Sequence, residues 1–300
     1  MCCEKIELGP EVNSRSLVCQ LAKEGFPVPV IAKALGLNRT YCYSLLKPPV
    51  PKPKRPPVDK DALVKQWIWK LCEEFPTYGY RRIQVMLRRR YNLRVNHKRV
   101  YRLMNEMELL VKSPRRGAAR AKRRGKIPVT RSNEHFQCDM TKVWCGKDGW
   151  GYLFAVIDAY DREIVGYSFS RFCRTEDLLK AVDMALNYRF PNGVQGAGLT
   201  LRTDNGCQMT SRRFIQAMKV CQINHERTGY NNPDADAYIE RFFRSLKEEE
   251  VWLQEYSSFA EAKAAIESYI HFYNTDRPHS ALGYRSPLEF RNWKMQQNAA

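Results

Sequence analysis

The chain has 300 residues, 44% of them hydrophobic, and a formal net charge of +18. Its length allows about two domains with a sizeable core, and no apolar run reaches the length of a membrane span. The charge is uneven: residues 1–131 carry 30 Lys and Arg against 10 Asp and Glu, and residues 132–300 carry 20 against 22. A cationic half that holds a polyanion therefore precedes a near-neutral half that acts on it.

The start, MCCEKIELGPEVNSR, lacks the charged-then-apolar layout of a signal peptide, so a cytoplasmic location is expected. The ten cysteines include no Cys-x-x-Cys pair, which excludes zinc-finger spacing. They are expected to be reduced and mostly buried.

Residues 1–47 read as a first helix-turn-helix-like unit. SLVCQLAKEG is a helix, Gly25-Phe26-Pro27 a break, PVIAKALG a short helix, and a third helix follows Leu37-Asn38. KPPVPKPKRPP makes 48–58 a stiff proline-rich linker. Residues 59–112 read as a second helix-turn-helix-like unit. Leu63, Val64, Trp67, Ile68, Leu71, Cys72 and Phe75 recur with helical period. A second helix, TYGYRRIQVMLRRRY, and a third, opened by Asn96 as N-cap, complete the unit. On that third helix Val100, Leu103, Met104 and Met107 face inward. Lys98, Arg99 and Arg102 lie mostly on other faces, as a groove-reading helix would place them. Residues 113–132 hold Arg115, Arg116, Arg123 and Arg124 and no acid, which suits a basic linker that neutralises phosphates.

From residue 133 the pattern changes to strands. HFQCDMTKVWC, WGYLFAVIDAY and REIVGYSFS are three β-rich runs separated by turns. A helix TEDLLKAVDMALNYRF, a strand LTLRTD, a helix SRRFIQAMKVC and a strand INHERT follow. A long helix over about 236–253 and a helix begun by the Ser258 capping box complete the series. That order predicts a mixed α/β sheet with helices on its faces over 133–255, then a C-terminal helix and tail over 256–300.

Three acids stand out. Asp139 interrupts a strand of β-forming residues, Asp204 ends another, and Glu240 lies on the long helix with Arg244 and Lys247 along one polar stripe. Asp158 reads as a turn or structural acid. Asp161, Asp183 and Glu248 to Glu250 read as solvated surface. Asp139, then Asp204, then 35 intervening residues to Glu240 and Lys247 seven further on resemble the Asp-Asp-Glu core of retroviral-integrase-like transposases. The chain is most similar to the second-frame products of bacterial insertion sequences. YGYRRIQVMLRRRYNLRVNHKRVYRLM resembles that family's second helix-turn-helix, and FYNTDRPHSALGYRSPLEF its C-terminal motif.

The resemblance implies an RNase H-like core and a nucleoid-associated transposase that cleaves DNA and transfers strands. It implies Asp139, Asp204 and Glu240 as catalytic metal ligands for two magnesium ions, with manganese as a substitute. Water would free a 3′-hydroxyl at the element end, and that hydroxyl would attack target DNA. Lys247 and Arg244 are implied to contact DNA. Arg277 and His279 either contact DNA or support the core. Implied partners are the element's terminal repeats, target DNA, an upstream-frame protein or fusion, and further copies of the chain. Where the family usually reads Asn-Pro-Tyr-Asp-Asn-Ala before the glutamate, NPDADAYIE puts Asp236 in an asparagine's place. An Asp there is expected to act as a helix cap.

Overall fold

In the computed structural model, residues 14–47, 61–111, 129–228 and 237–299 are described. The linker 48–58, Arg115, Arg116, Arg123, Arg124 and Asp236 lie outside them. The chain divides into two compact units, Met1–Lys60 and Asp61–Ala300.

In the first unit α1 (Ser14–Lys23), α2 (Val28–Ala34) and α3 (Arg39–Leu46) follow the expected breaks. The Asn38 side chain caps α3 by accepting from the Thr40 N–H. Val18, Ile31, Ala32, Leu35 and Cys42 form its small core.

The second unit begins with α4 (Ala62–Glu74), α5 (Tyr80–Tyr91) and α6 (His97–Glu106). Val64, Ile68 and Leu71 of α4 meet Ile83 and Leu87 of α5 and Val100, Leu103 and Met104 of α6. Leu63, expected inward, is exposed, because it sits one residue ahead of the stripe that Val64 begins. Asn96 caps α6 through the Lys98 N–H as expected.

Next come β1 (His135–Trp144), β2 (Trp150–Asp158), β3 (Ile164–Ser170), α7 (Thr175–Arg189), β4 (Thr200–Thr203), α8 (Arg212–Val220), β5 (Asn224–Arg227) and α9 (Ala237–Leu246). The sheet order is β3-β2-β1-β4-β5. The first three strands pair antiparallel, while β4 and β5 add in parallel. Alternation along each strand sends its two sets of side chains to opposite layers. Phe136, Cys138, Phe154 and Val156 pack against Leu178 and Val182 of α7 and Phe214 and Met218 of α8. Val143, Leu153, Ala155 and Ile157 pack against Ile239, Phe242 and Leu246 of α9 and against α10 (Phe259–Thr275). A Cβ at Gly166 would lie 2.1 Å from the Ala181 carbonyl oxygen. Only glycine lets α7 sit that close to β3.

The expected long helix is interrupted. Helical geometry holds through Leu246, then Lys247–Val251 is π-helical, with Trp252 N–H donating to the Lys247 carbonyl. The expected tail carries a further helix, α11 (Pro287–Ala299). Ser286 and Glu289 form a reciprocal capping box at its start: the Glu289 carboxylate accepts from the Ser286 N–H at 2.7 Å, and Glu289 N–H donates to Ser286 Oγ. The helical unit also touches the later part of the chain. Arg89 of α5 donates to the Asp276 carbonyl at 2.7 Å and to the Tyr284 carbonyl at 3.0 Å, and it pairs with Glu289.

Two acids expected at the surface are buried. Asp161 is fully buried and accepts from Arg189 at 3.0 Å and Ser132 Oγ at 2.8 Å. Its partner is 28 residues downstream, so no local pattern reveals the pairing. Arg189 also binds Glu163 at 2.7 Å, and Arg291 of α11 reaches Glu163 at 3.0 Å. Glu249 is the second: its side chain is 7% exposed and bound by Arg277 and Arg82. Asp183 and Glu248 are exposed as expected, whereas Glu250 is half-buried and accepts from the Tyr256 hydroxyl. The described cysteines are all free, but only Cys42, Cys138 and Cys145 are buried, and Cys207 is exposed. Among the described residues, no helix is long and apolar enough to cross a membrane.

Asp158 is a structural acid, as expected. Its carboxylate accepts from the Asn133 and Tyr160 N–H groups at 2.8 Å each. Burial, and then the Asp161 charge, push its pKa up to about 7. Between about pH 4 and 7 the native state keeps a proton that the unfolded chain has released. This group's contribution to stability therefore falls as pH rises through that window. Asp158→Asn cannot titrate. The Tm advantage of wild type over the variant is expected to shrink between pH 5 and 7. A difference independent of pH would refute the assignment.

Candidate active site

Asp139 lies mid-way along β1, facing Ala155 across the antiparallel pair. On the other side, the parallel register with β4 ends at Cys138 and Thr203. The next residues are Asp139, within β1, and Asp204, just past the end of β4. Asp204 is exposed at the start of a turn, where its Oδ1 accepts from the Gly206 N–H at 2.9 Å. A Cβ at Gly206 would press on that oxygen at 3.0 Å. Asn205 Nδ2 ties the turn to the Thr228 carbonyl just past β5.

Glu240 is exposed in the first turn of α9. That turn is pinned to β1 by a residue the sequence reading did not single out. Gln137 Oε1 accepts from the Tyr238 and Ile239 N–H groups at 3.2 Å each, which satisfies two donors that a helix start leaves open. Gln137 and Asp139 are two apart on the strand and share a face. The pin therefore fixes the helix start against β1, two residues from Asp139 along the strand, while the buried stripe Ile239, Phe242, Phe243 and Leu246 holds the rest of α9 down.

The donors are carboxylate oxygens, the type that hard divalent cations prefer. Among the described residues, however, no group of three His, Cys, Asp or Glu side chains could hold a metal ion. The two aspartates directly follow the last paired residues of β1 and β4, and the glutamate directly follows the two N–H groups that Gln137 holds to β1.

Arg277 and His279 support the core. Arg277 is buried, donating to both Glu249 oxygens at 2.6 Å and to Ser245 Oγ at 3.2 Å. Burial and the Arg277 charge hold the His279 pKa well below its ordinary value, so it stays neutral and poorly suited to phosphate. Arg82 of α5 reaches the same Glu249 at 3.0 Å. Arg241, also not singled out, is exposed, with Arg82, Arg244 and Arg277 as cationic neighbours. Burial, then Arg82, holds its pKa down. Arg244 is exposed, and Lys247 lines a cleft with Lys142, Trp144, Trp150 and Trp252.

On α6, Lys98 is exposed. Arg99 Nε and Arg102 Nη2 each donate to Asp61 at 2.7 Å. Both arginines are thus tied to the entry of α4 rather than standing free. Arg88 and Arg94, missed in the sequence, join Gln84, Val95 and Asn96 around a hollow of about 590 Å³ at the start of α6. Their signal was the density of arginines in LRRRYNLR.

The chain matches family models for an HTH-like domain over residues 59–117 and an integrase core domain over 129–233 and 221–287. Helices ahead of a mixed sheet thus define a helix-turn-helix protein with an integrase core. It is 27% identical over 294 residues to the transposase InsD for insertion element IS2-9 of Escherichia coli K12, covering 94% of each chain. It is also 27% identical over 289 residues to InsD for IS2A/D/F/H/I/K of Escherichia coli, covering 93% of this chain and 94% of that one. The chain is a homologue of these bacterial insertion-element transposases. A simian T-cell lymphotropic virus intasome chain is 15% identical with a TM-score of 0.44, covering 75% of this chain and 74% of that one. The HTLV-2 integrase catalytic core, solved with magnesium, is 15% identical with a TM-score of 0.38, covering 53% and 96%.

Proposed function

We propose that the chain is a metal-dependent transposase that cleaves DNA at the ends of an insertion sequence and joins those ends to target DNA. The observation that carries this is the register of the parallel pair. It pairs Cys138 with Thr203, the residues immediately before Asp139 and Asp204, and Glu240 lies one residue past the pair of N–H groups that Gln137 holds. In this reading Asp139, Asp204 and Glu240 are the ligands for magnesium, or manganese in its place. The cation would supply charge neutralisation on the phosphodiester oxygens. The chain's own residues hold the DNA. Lys247 and Arg244 take phosphates beside the carboxylates, and Lys98 with Arg88 and Arg94 holds duplex at α6. Water attacks one phosphodiester, forming a new P–O bond as the old one breaks and frees a 3′-hydroxyl. That hydroxyl then attacks a second phosphodiester. Both steps rest on positioning.

The test is a duplex carrying the element's ends, incubated with target DNA and magnesium. A nicked strand and a longer joined strand are expected, and neither with chelator present. The alternative is an impaired relative that only occupies element ends. End binding with no product in magnesium or manganese would establish it. Function as part of a fusion with an upstream-frame protein, and as several copies on DNA, belongs to the same proposal.

Lys98→Ala is expected to lower the log–log salt slope of duplex binding by about 0.9, one phosphate contact. Arg99→Ala should change the slope less, because Asp61 already engages that guanidinium. Equal slope changes for the two variants would place neither residue at the phosphates selectively.

A further inference from the structure

A cleft of about 620 Å³ lies where β1 turns into β2 and the π-helical segment ends. Three tryptophans line it with more than half of their surface exposed: Trp144 at 54%, Trp150 at 52% and Trp252 at 68%. Single exposed apolar residues are ordinary, but three of the largest in one concave site are not. Trp144 and Trp150 meet edge to face, with centroids 5.2 Å apart, so their mutual packing leaves much ring surface uncovered. Lys142 and Lys247 also line the cleft, together with one carboxylate, Glu255.

The two lysines come from the elements that carry the carboxylates. Lys142 lies three residues beyond Asp139 on β1, about 10 Å along a strand. Lys247 lies seven residues beyond Glu240, about 10 Å along a helix. Lys247 thus lies along the helix on the side of Glu240, while Lys142 and Trp144 lie on the opposite pleat from Asp139 and reach the cleft at the end of the strand. Lysine is depleted from protein–protein interfaces, whereas aromatic faces beside cations suit a nucleic acid strand with unpaired bases. The volume falls within the usual range for small-ligand sites, and a paired duplex presents no base face to such a cleft.

We propose that this cleft stacks one or two unpaired nucleobases of a DNA strand whose backbone leads toward the carboxylates. It rests on the reading of the chain as a DNA-processing enzyme and adds that the strand end is held open there.

The test is binding in chelator, with no cleavage required, so failure of strand transfer leaves it readable. Dye-labelled duplex with a frayed end is compared with a fully paired duplex of the same length, using the full chain and fluorescence anisotropy. Trp252→Ala and Trp144→Ala are expected to weaken frayed-end binding roughly ten-fold, the scale of one lost base stack. Paired-duplex binding should move less than two-fold, and Trp252→Phe should restore most of the loss. Equal losses on both substrates, or no loss on either, would overturn the proposal. So would concentration-dependent self-association that Trp252→Ala abolishes while binding is unchanged, because the cleft would then seat a second copy.

Discussion

Asp139→Asn, Asp204→Asn and Glu240→Gln are each expected to lower cleavage and joining at least about a thousand-fold while leaving binding to element ends within about two-fold. Losing one ligand of a metal-dependent site removes several kcal/mol of charge stabilisation, and each 1.36 kcal/mol is a factor of ten in rate. Asp204 and Glu240 are exposed and Asp139 is half-buried, so the amide variants should unfold within a degree or two of wild type. Gel assays of both steps in magnesium, with binding measured in chelator, separate chemistry from recognition. Near wild-type joining by any one variant would remove that residue from the proposed set. Gln137→Ala is a useful companion. It touches no proposed ligand, yet it frees the first turn of α9, so it should slow both steps without changing end binding.

The second large effect is on stability. Arg277→Leu should cost about 3–5 kcal/mol, because it leaves the Glu249 carboxylate buried with only part of its compensation. For a unit of this size that is roughly a 10 °C loss in Tm. Arg82 still reaches Glu249, which puts the cost toward the lower end. The double variant Arg277→Leu, Glu249→Leu should recover part of the loss, since no lone charge then remains. Burial pushes the Glu249 carboxyl up, but hydrogen bonding and charge from Arg277, then the charge of Arg82, hold it below the ordinary value. Its contribution is therefore complete above about pH 4.5 and is lost as pH falls through the lowered value. Thermal melts at pH 7 and pH 3 should show the Arg277→Leu penalty diminishing in acid. A penalty unchanged by pH, or absent, would show that the pair does not carry the stability assigned to it.

The local devices were legible because each is written within a few residues. Asn38, Asn96 and Ser258 open helices where their spacing placed them. The strand runs gave the sheet, since alternation and turn residues mark them directly. The helix α11 was equally local: Ser286-Pro287-Leu288-Glu289 is a capping box with proline in the first turn, hidden only because it stands inside a motif read for another purpose. The failures are pairings across long separations. Glu249 sits within Glu248-Glu249-Glu250, and nothing nearby shows that its partners are Arg82 and Arg277. The aspartates show the same limit, since spacing marks Asp139 and Asp204 as notable but only strand register sets the residues before them, Cys138 and Thr203, side by side. Gln137 looked like a polar residue in a strand until α9 lay across it.

The ion pair between Glu163 and Arg291 bears on how the chain is made. Their separation is 128 residues. At ordinary synthesis rates of 5–20 residues per second, roughly 6–25 s pass between the emergence of β3 and that of α11. During that interval, among the described residues, Asp161 and Glu163 have Arg189 to set against them. Arg89, similarly, waits 200 residues for Glu289. The nascent sheet therefore spends that time with surplus negative charge at its edge, and ribosome-bound chains stopped before residue 287 should be more sensitive to protease than chains released whole.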